Sequence, residues 1–126
     1  MSFDWSQYLN IALELLDRED VPASPEAKKR AAISRAYYAA LQKARVQLQQ
    51  KDLDPHIPND RGLHDYVIQA FQRHPDTLRK EIGLALEKLR VQRGRADYRD
   101  KYPDLDKQVE LCLKFANDVL MLLTKL

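Results

Sequence analysis

Apolar positions recur three and four residues apart along most of the chain, which is the rhythm of helices, and no stretch alternates convincingly as a strand does. From about Ser2 to Arg18, Trp5, Leu9, Ala12 and Leu16 share a face, widened by Tyr8 and Leu15. Ser24 followed by Pro25 predicts a helix start, because the hydroxyl accepts an orphan amide and proline at the first helical position forfeits no bond. That helix runs to about Gln50, with Ile33, Tyr37, Leu41, Ala44 and Leu48 in line. Residues 51–62, carrying Pro55 and Pro58, read as an inter-helix loop. Leu63, Val67, Ala70, Phe71 and His74 predict a short third helix, stopped by Pro75. Leu78, Ile82, Ala85, Leu86 and Leu89 predict a fourth, with Gly94 as its C-terminal cap. Pro103 and Asp104 open the last helix, whose positions 109, 112, 116, 119, 123 and 126 are all apolar. That spacing suits the seam of a helical bundle or a coiled-coil-like dimer contact. The expectation is an all-α, up-and-down bundle of four to five helices, with residues 1–126 as one domain.

Composition agrees and removes several alternatives. A chain of 126 residues can bury one real core. With 32% charged and 44% apolar residues it is not of the disordered type. A formal charge of +2 is too small to predict nucleic-acid binding by itself, so any such case rests on local clustering. The single cysteine, Cys112, excludes an internal disulfide and a multi-cysteine zinc site, and reads as a small core hydrophobe. No apolar run approaches the roughly 20 residues of a membrane span. Asp4 near the start does not suit a signal peptide, and a cytoplasmic location is the expectation.

The chemistry concentrates in Arg90-Val91-Gln92-Arg93-Gly94-Arg95-Ala96-Asp97-Tyr98-Arg99-Asp100-Lys101-Tyr102. Guanidinium groups gathered at a helix end suit phosphate, since each presents a rigid fork of donors. Arg93 and Asp97 stand four apart and Arg95 can pair with Asp100, so part of this charge is expected to be self-neutralised. A second cluster, Ser34-Arg35-Ala36-Tyr37-Tyr38, lies mid-helix. Tyr37 belongs to the core with a hydroxyl that needs a partner, while Ser34, Tyr38 and Arg45 lie on the adjoining face and border a cleft. Of the three histidines, His56 reads as solvated and His74 as a helix-end residue. His64, followed by Asp65 and Tyr66 at a helix start, is the one worth following. No two histidines stand at a metal-ligand spacing, so neither a metal site nor a cofactor is expected.

Ser34 through Leu41, then Gly62-Leu63-His64 with Phe71, then Leu89 through Arg93 and Ala96-Asp97-Tyr98, together resemble the HEPN domain, a nucleotide-binding helical family of higher eukaryotes and prokaryotes. The resemblance covers about residues 30 to 102. It implies a homodimeric helical bundle whose polar helix ends meet in one cleft. Many members of that family are metal-independent ribonucleases of toxin–antitoxin and phage-defence systems. They carry an arginine followed after four to six residues by a histidine. Others pair with a nucleotidyltransferase or bind nucleotides without cutting. Here the histidine window after Arg93 holds Tyr98, Arg99 and Asp100. After Arg90 it holds Arg95, Ala96 and Asp97, and after Arg95 it holds Asp100, Lys101 and Tyr102. Tyrosine is a poor base near neutrality and arginine stays protonated, so neither replaces histidine simply.

The leading expectation is a binding or regulatory member of a defence or toxin–antitoxin pair, beside a nucleotidyltransferase. Arg90, Arg93, Arg95, Asp97, Tyr98 and Arg99, with Ser34 and Tyr38, would line its nucleotide or RNA phosphate site. The alternative is an endoribonuclease using Arg93 for charge and His64 or Asp97 for proton transfer. A third reading is a dimerisation module built on the last helix. Tyr98 and Tyr102 are the positions the resemblance offers for adenylylation by a transferase partner.

Overall fold

The computed structural model describes residues 3–126, and among them it is an all-helical bundle. The helices are α1 (Gln7–Asp17), α2 (Pro25–Val46), α3 (Leu63–Gln72), α4 (Thr77–Tyr98) and α5 (Leu105–Leu123). The expected start of the first helix at Ser2 lies outside the described residues; α1 itself begins at Gln7. Ser24 caps α2 as its sequence demands, its hydroxyl accepting from the Ala27 amide at 3.1 Å. After Val46 the helix widens into one π turn, Gln47–Lys51, closed by the Asp52 amide donating to the Gln47 carbonyl. The expected loop follows it.

α2 is the central element and packs on α1, α4 and α5, while α3 packs on α4. Ala32, Ala36, Ala39, Ala40 and Ala44 are buried along it, and their small side chains let neighbouring helices approach closely. Ile33, Tyr37 and Leu41 from α2 meet Phe71, Ile82, Leu86 and Leu89 in the same core. Each such side chain contributes about 1.5–3 kcal/mol through removal from water. The α5 seam resolves to the bundle alternative: Val109, Cys112, Ala116, Val119 and Leu123 are buried against this chain's own core. They are therefore not available to a second copy. Among the described residues no helix is long and apolar enough to cross a membrane.

α4 departs from expectation. Gly94 does not cap it, for the helix runs through Gly94 to Tyr98, with no glycine at positive φ. A different group satisfies the α4 terminus. The Arg30 guanidinium, from the first turns of α2, donates to the carbonyls of Ala96 (3.1 Å), Arg99 (2.5 Å) and Asp100 (3.0 Å). A cation on these orphan acceptors also opposes the negative end of the helix dipole. Gly83 does have a local reason: a Cβ there would lie 2.6 Å from the Gln72 amide nitrogen, where α3 crosses α4. Asp104, preceding α5, takes a left-handed conformation (φ 60°) and offers no side-chain cap.

Candidate phosphate-binding site

Three helices contribute to one cluster. Arg90, Arg93 and Asp97 recur at three and four residues on α4 and so share a face. Ser34, Tyr37 and Tyr38 project from the middle of α2, and His64 stands in the first turn of α3. Arg93 is the centre. Its Nη2 donates to the Tyr38 hydroxyl at 2.7 Å, and its Nε lies 3.0 Å from Asp97 Oδ2. That Nε–H does not aim squarely at the carboxylate, so the contact is ionic rather than a hydrogen bond. Ser34 Oγ donates to the same Asp97 oxygen at 3.2 Å, fixing the carboxylate from α2. The guanidinium carbon lies 5.2 Å from the Tyr38 ring centroid and 5.4 Å from that of Tyr98, within cation–π range. Arg93 is thus held in place, with no partner on its Nη1 donors among the described residues. Arg90 is held more loosely, 3.4 Å from Asp65 and 3.7 Å from Glu87.

His64 joins this cluster within a single chain. Its Nδ1 lies 2.8 Å from the Tyr37 hydroxyl, and its ring makes edge contact with Tyr38 at 5.7 Å between centroids. Burial pushes the Tyr37 hydroxyl far above the usual phenol range, against the opposing pull of Arg90 and Arg93, so it keeps its proton. A buried hydroxyl that keeps its proton is best satisfied by donating it, and Nδ1 is the partner at hand; that arrangement places the neutral imidazole's own proton on Nε2. Burial, then the charges of Arg93 and Arg90, lower the His64 pKa below its ordinary value. At neutral pH the site presents a neutral N–H donor beside two guanidiniums. That set can hold an anion. Proton abstraction needs the other tautomer, which strands the buried Tyr37 hydroxyl at a cost of about 1–3 kcal/mol.

Other expected site residues lie elsewhere. Arg95, two residues past Arg93, is turned about 200° around the helix and sits on the Tyr102 side. No ion pair joins it to Asp100 among the described residues; Asp100 lies past Tyr98, the last residue of α4, so the helix does not carry it to the Arg95 side. Tyr102 is not an open modification site. It is buried, its hydroxyl donates to Gln92 Oε1, and desolvation pushes that hydroxyl up to about 12. Tyr98 is 75% exposed and remains accessible. Arg99 is exposed just beyond α4, and its structural contribution is its carbonyl, which Arg30 binds. Arg30 is the residue the sequence reading missed. Its only signal was an arginine in the first turns of a helix, where a cation is unfavourable without a partner. Cys112 is buried and its thiol is pushed up to about 12 by desolvation, as a core residue requires. No group of three or more metal-ligating side chains is gathered among the described residues. In comparisons with known proteins, no family model, no curated protein and no solved structure matches the chain.

Proposed function

We propose that this chain holds a phosphate group of RNA or of a nucleotide at Arg93 and Arg90, with His64 as a neutral third donor. In this reading it is a HEPN-like binding or regulatory member of a two-protein defence or toxin–antitoxin system, acting as a homodimer beside a nucleotidyltransferase. The observation that carries the phosphate assignment is the fixed Arg93 guanidinium, anchored by Tyr38 and Asp97 with donors to spare, next to the His64 ring. The exposed Tyr98 ring beside it offers a surface on which a base stacks.

Binding of end-labelled RNA, titrated between about 50 and 200 mM salt, tests this. Arg93→Ala is expected to weaken binding by about tenfold or more, since hydrogen bonds to a charged group contribute about 1.5–3 kcal/mol. Arg93→Lys, which keeps the charge but loses the fork, should fall between. Binding unchanged in Arg93→Ala would sink the assignment. The second reading, a ribonuclease, is favoured by one observation: His64 reaches the Arg93 cluster. Incubation of the same RNA in chelator over a wide pH range decides it. Cleavage that disappears in both Arg93→Ala and His64→Ala would replace holding by cutting, and absence of cleavage argues for holding.

A further inference from the structure

The polar side of α2 does not end at Tyr38. Gln42 and Arg45 continue it, Gln49 of the π turn extends it, and together they form one wall of a hollow of about 490 Å3. The opposite wall is the loop after the π turn, which supplies Asp54 and Asn59, with Ile57 and Leu63 adding apolar surface. The hollow adjoins the phosphate cluster on both sides. Leu63 is the chain neighbour of His64, and Gln42 stands one helical turn, about 6 Å along the axis, from Tyr38.

The hydrogen-bond pattern fixes what this hollow offers. Arg45 has no carboxylate partner among the described residues; its Nε donates to Gln42 Oε1 at 2.5 Å and its Nη1 to Gln49 Oε1 at 2.6 Å. Arginine has donors only, so both amide oxygens must face it, and both NH2 groups are left to the hollow. The loop wall is an acceptor. Asp54 receives the Tyr66 hydroxyl on Oδ2 at 2.6 Å and the His56 amide on Oδ1 at 2.8 Å, and each oxygen keeps a lone pair. A carboxylate there repels a second phosphate. A neutral planar group with carbonyl acceptors along one edge and an N–H on another fits both walls.

We propose that this hollow receives guanine, as the base of the nucleotide whose phosphate lies on Arg93; the inference rests on that phosphate assignment. Its O6 and N7 acceptors meet the Gln42 and Gln49 amides, and its N1–H and amino group, on the opposite edge, meet Asp54. Adenine and cytosine turn an amino donor against the same amide donors, and uracil carries its N–H between its two carbonyls on one edge, so all three are disfavoured.

Calorimetric titration with the monophosphates of guanosine, uridine, adenosine and cytidine tests the base assignment, and labelled uridine pentamers with and without a central guanosine separate free nucleotide from RNA. Guanosine monophosphate should bind about tenfold or more tightly than the other three. A preference among the monophosphates identifies a nucleotide ligand, and one confined to the pentamers identifies RNA. Gln42→Leu with Gln49→Leu should abolish the preference while Arg93→Ala still weakens every probe. Gln49→Glu, which keeps an oxygen toward Arg45 and removes the donors, should shift preference toward the amino bases without disturbing the fold. Equal binding of all four bases, or a preference that survives both sets of substitutions, overturns the base pocket and leaves the phosphate site standing. Failure of every probe to bind overturns both.

Discussion

Replacing Gly94 by alanine should stabilise the protein, and the sign of that change is decided by the course of α4. Gly94 lies in the helix, four residues before its last residue, Tyr98, and has no positive φ. A Cβ built there meets nothing within 4 Å. The substitution therefore removes the backbone entropy cost of glycine and adds no contact, a gain of about 0.8–1 kcal/mol for a helix interior. Fraying of the last turns would trim this, but Arg30 ties down the terminus, so about 0.5–1 kcal/mol is expected at the bench. For a chain of this size that raises Tm by roughly 2–4 °C. Had Gly94 been a left-handed cap, alanine would cost about 1 kcal/mol instead. Urea unfolding followed by circular dichroism separates the two, provided the slope against denaturant is unchanged. Gly83→Ala is the internal contrast. Its Cβ would stand 2.6 Å from the Gln72 amide nitrogen and 2.9 Å from the Gln72 Cα. Backbone cannot swing aside as a side chain can, so overpacking of about 1–3 kcal/mol exceeds the gain in helix propensity. Loss of stability in Gly94→Ala at constant slope would refute the continuous helix, and with it the placement of Asp97 one turn beyond Arg93.

Two further predictions concern the cluster and its support. His64 has a folded pKa below its unfolded value, so the unfolded chain binds the proton more readily; its contribution is complete above about pH 6.5 and is lost as pH falls through that value toward the lowered one. Urea midpoints measured at about pH 5.5 and about pH 7.5 should therefore differ less in His64→Gln than in the parent, and an identical difference would remove His64 from the buried cluster. Arg30→Met keeps the aliphatic stem but withdraws all three bonds to the α4 terminus, two of them exposed, for an expected loss of about 2 kcal/mol. Amide exchange should then quicken from Ala96 to Tyr102, and unaltered exchange there would show that the cap is idle.

The bundle was legible because its signals are local. The stripe Ile33, Tyr37, Leu41, Ala44 and Leu48 is buried as its period requires, and Ser24–Pro25 starts α2 at the position it marks. The stop of α4 was misread because a glycine after an amphipathic run is a strong local cue, whereas the real terminus is satisfied from 66 to 70 residues away. Periodicity also left the α5 seam open between core and dimer contact, since both want the same face; only the packing of α2 and α4 against it decides. For the site, the α4 pair Arg93 and Asp97 followed from a spacing of four. The junction of His64 with Tyr37 did not, because it depends on how α3 crosses the α2–α4 pair. Arg95 was grouped with Arg93 by proximity in sequence, and the helix turns it to another side.

Cys112 gives the molecule an internal clock. With no disulfide partner, no solvent access and a thiol that resists ionisation, its sulfur is silent to a soluble alkylating reagent while the bundle is closed. Reaction must wait for α5 to lift from α2 and α4, so the labelling rate counts openings of one helix and needs no added probe. A ligand on the Arg93 cluster, as proposed, would bridge α2 and α4 without lying on α5, so that rate would separate a tightening of the whole bundle from a purely local grip.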